Sequence, residues 1–285
     1  NQLDVINFFK KEEPNYIFMA AAQVGGINAN NIYGADFIYN NLSIELNVLN
    51  AAKIMGIERM VFLGSSCIYP RDCLQPIKEE YLLTGALEKT NEPYAIAKIA
   101  GIKLCEYFNK QYNTKYVSLM PTNLYGPKDN YDLETSHVLP ALIRKIHEAK
   151  INKSPIFEVW GSGRPFREFL FVEDLAEACL YALENWDPNS KDAPKDSDGN
   201  KLFWLNVGSQ FEVSIRELVE MVAFECNYKG EIIWDTSKAD GTERKKLDTS
   251  RMSHLGWEAK VTLKEGIKRT LDSYLYEKET NILRM

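Results

Sequence analysis

Paired cysteines, long apolar runs and blocks of like charge are what this 285-residue chain lacks. Its five cysteines (67, 73, 105, 179 and 226) form no Cys-x-x-Cys pair and no metal-ligand spacing. That excludes a zinc ribbon and a thioredoxin-like redox motif, and a scattered odd number reads as free thiols in a reducing compartment, the cytoplasm by default. No apolar stretch approaches the ~20 residues needed to span a bilayer, and no secretory leader is visible at the start. With 34 basic and 40 acidic side chains, a net charge of -6 and no run of either sign, neither nucleic acid nor a membrane surface is an expected partner. Repeats, heptads and low-complexity segments are also missing. What remains is 45% hydrophobic and 26% charged, the balance of a chain that buries a sizeable core.

Strand-like and helix-like stretches alternate through the first two-thirds. Residues 5–13 read as a helix, 16–22 as a strand ending at Gly25-Gly26, and 35–55 as a helix with Phe37, Ile38, Ile44, Val48, Leu49 and Ala52 at helical spacing. A strand at 60–64, a helix at 93–112 and a strand at 116–121 follow. Strands separated by helices of this length predict a parallel sheet covered on both faces. The segments after the three strands are AAAQVGG, GSSCIYP and PTNLYGP. Small and short polar residues gather there, where open α/β sheets bind ligands. Beyond residue 130 the pattern gives a helix over 137–149, strands at 156–160 and 167–172, a helix opened by Glu173-Asp174, and helices at 214–225 and 263–277 with a short strand at 231–233. The polar stretch 187–201 reads as an exposed loop without catalytic content.

Tyr-x-x-x-Lys occurs twice, at Tyr94–Lys98 and Tyr274–Lys278. The i,i+4 spacing puts both side chains on one helical face, where an ammonium could lower a phenol's pKa from ~10 toward useful acid–base strength. Only the first follows a serine-rich strand end, so it is the expected catalytic copy. Cys67, at the mouth of the 60–64 strand, reads either as a small hydrophobe closing a core or as a proton-transfer group.

A strand ending in GSS, then YAIAK on a long helix, then PTNLYGP after the next strand resembles the extended short-chain dehydrogenase/reductases. The resemblance implies a Rossmann-type doubly wound α/β sheet and a nicotinamide cofactor acting on nucleotide sugars. It implies that Ser65 hydrogen-bonds the substrate oxygen, that Tyr94 transfers the proton, and that Lys98 holds the nicotinamide ribose. Seven blocks in order narrow it further: AAAQVGGINANN, GSSCIYP, NEPYAIAKIAGIKLCE, PTNLYGPKDNY, SHVLPALIRKIHEA, VWGSGRPFREFL and DGTERKKLD. Together they resemble the branch of that family that turns GDP-4-keto-6-deoxy-D-mannose into GDP-L-fucose. That branch epimerises C3 and C5 before reducing C4 with NADPH.

For this branch the resemblance assigns proton exchange at C3 and C5 to Cys67 and His137, a thiol and an imidazole suited to that work near neutrality. It implies cofactor contacts at Ala21, Ala22, Leu63, Gly64, Ser65, Lys98, Pro121, Asn123, Leu124 and His137. The GDP-sugar would be held by Lys145, Trp160, Arg167, Asp240 and Lys245, the arginine offering a planar fork to phosphate. It further implies a cofactor domain over 1–130 to which later segments return, a smaller substrate-binding α/β region over 131–285, and a homodimer built on helices 35–55 and 93–112. One element departs from the pattern. The Gly-rich turn that grips the cofactor pyrophosphate has no match here, so the chain is expected to start after the first βα unit, and the choice of NADP rests on the family alone. Two rivals stay open: another nucleotide-sugar epimerase or reductase, and a nucleotide-sugar-binding protein without turnover.

Overall fold

The computed structural model describes residues 1–25, 30, 32–238 and 240–284. Of the block at 20–31, residues 26–29 and 31 therefore lie outside the described residues. The chain divides into two compact units. The first comprises Asn1–Pro121, Ala176–Val207 and Asp248–Glu258; the second comprises Thr122–Leu175, Gly208–Leu247 and the segment from Ala259 onward.

The first unit is built on four parallel strands in the order β1 (Tyr16–Met19), β2 (Arg59–Leu63), β3 (Lys115–Pro121) and β7 (Trp204–Val207). Met60, Val61, Phe62, Tyr116, Leu119, Met120, Leu205 and Val207 are buried in it. An unbroken apolar run, instead of an alternating one, is what a strand covered on both faces requires. Its helices are α1 (Gln2–Glu12), α2 (Gly34–Ile54), α3 (Glu92–Tyr112), α5 (Val172–Asn185), most of which lies in this unit, and α7 (Ser250–Leu255). Asn1 caps α1 by accepting the Leu3 and Asp4 N–H groups. Pro93 in the first turn of α3, where no amide donor is needed, starts that helix. Asn109 then latches the end of α3 to β3, accepting the Tyr116 N–H at 2.8 Å and donating to its carbonyl at 2.6 Å.

The expected strand at 16–22 stops at Met19, and 20–25 runs on as coil. The fourth strand, β7, was not expected. WLNV is only four residues long and carries a fully buried asparagine, Asn206, so it has no alternation to betray it. Asn206 accepts the Tyr69 hydroxyl at 2.6 Å and donates to the carbonyls of Ile77 and Asp248, while its own N–H reaches Glu79 at 3.0 Å. A strand chosen for such a network reads as a loop in sequence.

In the second unit, β6 (Phe166–Phe171) lies between β4 (Asn123–Tyr125) and β10 (Arg244–Lys245), both parallel to it, and β8 (Glu212–Ser214) pairs with β6 antiparallel. A separate parallel pair joins β5 (Ile156–Trp160) to β9 (Glu231–Asp235). Helices α4 (Val138–Ile151), α6 (Ile215–Glu225) and α8 (Leu263–Glu279) close one core with these strands through Leu142, Ile146, Phe157, Phe169, Val219, Val222, Ile267 and Tyr274. Burying such a side chain contributes about 1.5–3 kcal/mol apiece. Ser214 and Glu217 form a reciprocal capping box at the start of α6. No helix among the described residues is long and apolar enough to cross a membrane.

Candidate active site

In the first unit, the residues that follow β1 and β2 are drawn together by α3. Ser65, extended at the end of β2, accepts the Cys67 N–H at 3.2 Å and so starts a single turn over Ser66–Ile68. The same serine side chain is hydrogen-bonded to Tyr94, in the first turn of α3. Cys67 lies within electrostatic reach of that phenol. A hydroxyl, a phenol and a thiol thus meet at one strand end. Fully buried Tyr69, tied to Asn206, fixes the chain two residues beyond the thiol.

Lys98, one turn along α3, faces elsewhere than the spacing suggests. Its ammonium lies 3.1 Å from the Glu45 carboxylate on α2, 3.3 Å from the Ala21 carbonyl beyond β1, and 4.7 Å from the centre of the Phe62 ring. The expectation that the lysine charge lowers the phenol's pKa is therefore not met in this state of the site. Burial pushes Tyr94 above its ordinary value, and the nearby thiol and Glu45 add to that; the Ser65 hydrogen bond opposes it. Burial also pushes the Lys98 ammonium down, with Glu45 holding it up.

The coil after β1 is held from two sides. Lys98 takes Ala21, and buried Asn41 on α2 accepts the Gln23 N–H at 2.6 Å while donating to the Gln23 carbonyl at 3.0 Å. Ala21 is exposed and Ala22 half-buried there, with Leu63 half-buried at the end of β2 and Pro121 buried at the end of β3. Gly64 is buried because a Cβ would collide with Met120, so this glycine answers to packing between strands. Asn41 and Glu45 escaped the sequence reading because polar residues do not register in an apolar stripe. The signal was present as spacing: the buried line of α2 is Phe37, Asn41, Glu45, Leu49 and Ala52.

The second unit carries the other candidate residues. His137 is exposed and occupies the N-cap position of α4 without a side-chain capping hydrogen bond, within electrostatic reach of the Asp129 carboxylate. Burial raises the Asp129 pKa, against the N–H groups of Asn130 and Gly126 and the charges of His137 and Arg284. Asn123 donates to the Glu168 carbonyl at 2.9 Å, and Leu124 pairs in register with Leu170. Trp160 is 69% exposed, and its ring centre lies 5.7 Å from the Lys145 ammonium and 5.5 Å from that of Lys238. Arg167 donates to the carbonyls of Phe166 and Thr242, both at 2.7 Å. Asp240 precedes β10. Its carboxylate accepts the Ser162 N–H at 2.8 Å and hydroxyl at 2.6 Å, which pins the GSG turn after β5 and holds the acid below its usual range. Lys245 lies on β10 opposite Arg167. Among the described residues no cluster of acids, histidines and cysteines could hold a metal ion.

The model of the NAD dependent epimerase/dehydratase family matches residues 1–194. The chain belongs to that family. Within it, this chain is 50% identical over 275 residues to putative GDP-L-fucose synthase 2 of Arabidopsis thaliana, covering 96% of this chain and 80% of that one. It is 48% identical over 275 residues to GDP-L-fucose synthase of Escherichia coli strain K12, covering 95% and 83%. A GDP-L-fucose synthetase from Naegleria fowleri, solved bound to NADP, superposes with a TM-score of 0.87 at 29% identity, covering 98% of this chain and 82% of that one. The expected parallel α/β fold is thus the family's fold, found here in the β1–β2–β3–β7 sheet.

Proposed function

We propose that this enzyme converts GDP-4-keto-6-deoxy-D-mannose to GDP-L-fucose, inverting C3 and C5 and then reducing C4 with NADPH. The observation that carries it is the placement of Cys67 on the same one-turn loop as the Ser65–Tyr94 pair. A plain reductase at C4 needs the serine and the tyrosine but has no use for a thiol beside them.

The first unit fits a nicotinamide dinucleotide. An ammonium, a phenol and a hydroxyl cluster beyond the carboxyl ends of adjacent parallel strands, the place where open α/β sheets take nucleotides. Lys98 would hold the ribose, and the family resemblance adds Ala21, Ala22, Leu63, Gly64, Ser65, Pro121, Asn123, Leu124 and His137 as cofactor contacts. When bound, the reduced nicotinamide supplies the hydride for C4. The chain's own residues do the proton work. The 4-keto group acidifies the hydrogens on C3 and C5, so Cys67 and His137 can take each proton from one face and return one to the other, with no net change of protons. Ser65 orients the C4 oxygen, and Tyr94 gives it the proton that completes the hydroxyl. Arg167 and Lys145 face the diphosphate and Trp160 the base, with Asp240 and Lys245 bordering them.

The free thiols suit a cytoplasmic enzyme. The enzyme works as a homodimer through α2 and α3, whose Tyr39, Leu46, Ile54, Ile96 and Tyr107 are exposed, and light scattering at twice the chain mass checks it. The deciding experiment supplies GDP-4-keto-6-deoxy-D-mannose and NADPH in deuterated water. Wild type should give GDP-L-fucose labelled at C3 and C5, and Cys67→Ala should lose on the order of 10²-fold or more in label entry. A reduced but unlabelled 6-deoxy-hexose product would sink the reading.

A further inference from the structure

The proposed reaction leaves Glu45 without a task, yet the fold gives it a costly place. The side chains of Glu45 and Lys98 are each 2% exposed, and they meet at 3.1 Å. Neither Glu45 oxygen accepts a hydrogen bond from any further group among the described residues. Burying an ion pair rarely stabilises a protein more than apolar side chains of equal volume would, so stability alone does not account for it. Room for the pair is made by Gly101, one turn beyond Lys98 on α3. A Cβ there would collide with Phe62 and lie 2.9 Å from Glu45 Oε2, and a glycine inside a helix costs about 1 kcal/mol relative to alanine. Two unfavourable choices, on α2 and on α3, thus serve a single contact.

We infer that Glu45 is a positioning residue for the reduction: its carboxylate keeps the Lys98 ammonium charged and pinned beside the Ala21 carbonyl, at the end of β1. This rests on the reading above, in which Lys98 serves the cofactor and Tyr94. The titratable groups facing Glu45 are Lys98, Tyr94 and Cys105, all on α3; from β3, the Ser118 hydroxyl lies beside the Cys105 thiol. Burial pushes that thiol up to about 12 and Tyr94 above its ordinary value, so both stay neutral near pH 7. Glu45 itself is raised to about 7 by burial, against the attraction of Lys98. Above that pH the pair is complete. Below it Glu45 takes up a proton, and Lys98 loses its anchor.

The test compares wild type with Glu45→Gln, reading NADPH oxidation across about pH 5.5 to 9 and deuterium entry at C3 and C5, which does not call on Lys98. Wild-type reduction should fall on an acidic limb near pH 7. Glu45→Gln should lack that limb and raise the KM for NADPH about tenfold or more, with deuterium entry within about twofold of wild type. An unchanged limb and KM would overturn the inference, as would an equal loss of reduction and deuterium entry, the mark of a structural role. Should Glu45→Gln not fold, Glu45→Asp takes its place: the limb should persist with KM for NADPH raised, and a wild-type KM would overturn it. A second readout needs no cofactor. The carboxyl carbon of Glu45 should titrate near pH 7 by NMR, and Lys98→Met should move that midpoint up by about one unit or more; an unmoved midpoint rejects the pairing. Wild type that consumes no NADPH would overturn both proposals, but only there does the failure lie with the reaction itself.

Discussion

The two Tyr-x-x-x-Lys segments share a spacing and little else. Tyr94 meets a serine at a strand end, and its lysine is buried against a carboxylate and a backbone carbonyl. Tyr274 is 1% exposed inside the core of the second unit, its ring 4.8 Å from Tyr131 and 5.3 Å from His147. Its lysine, Lys278, is exposed and lies 5.7 Å over the ring. A helix guarantees that residues four apart share a face, but it does not say what that face meets. At Tyr94 it meets the carboxyl end of a parallel strand; at Tyr274 it meets other aromatic rings.

Phenylalanine at each tyrosine breaks that comparison most sharply. Tyr94→Phe should lower the rate of C4 reduction by about 10³-fold or more while deuterium still enters C3 and C5. Tyr274→Phe should leave both within about twofold, and the same coupled assay reads them. Removing the ring reverses the ranking for stability: Tyr274→Ala should cost about 3–5 kcal/mol in a urea unfolding midpoint.

The buried pair beside Tyr94 gives the next effect. Glu45 has a folded-state pKa of about 7 against an ordinary 4.5, so the folded protein binds more protons between those values. Stability should accordingly be fullest below pH 4.5 for this group alone and decline as pH rises through about 7, by on the order of 3 kcal/mol. Glu45→Gln should flatten that slope in denaturation midpoints taken from pH 5 to 8. Gly101→Ala tests the same place from the other helix. Alanine should gain about 1 kcal/mol of helix propensity yet leave the protein less stable, because its Cβ enters the space of Phe62 and Glu45. The smallest effect belongs to Lys278→Met, which removes an exposed cation from an aromatic face and should change stability by about 0.5–1 kcal/mol or less.

Most helices were legible because their apolar residues recur at helical spacing, and their ends carry readable signals such as Pro93 and Glu173-Asp174. Several short elements were not, among them α7 and the strands β4, β7, β8 and β10. The strands β4, β7 and β10 are two to four residues long, too short to show a period, and β7 is held by the Asn206 network instead of by alternation. At the site, Ser65, Cys67 and Tyr94 announced themselves by chemistry and by their place after strands. Asn41 and Glu45 did not, since a polar residue within an apolar helix reads as a solvent-facing position until a second helix covers it.

Local order along the chain was enough to determine the parallel α/β class, the helices, the strand-end serine and thiol, and the tyrosine–lysine register, because each depends on spacing within one segment. Which of the two tyrosines meets a serine and which meets a ring was decided by packing between segments distant in sequence. So was the partner of Lys98. Its ammonium turns to Glu45 because α2 and α3 close over both groups at Gly101, and burial makes each charge depend on the other.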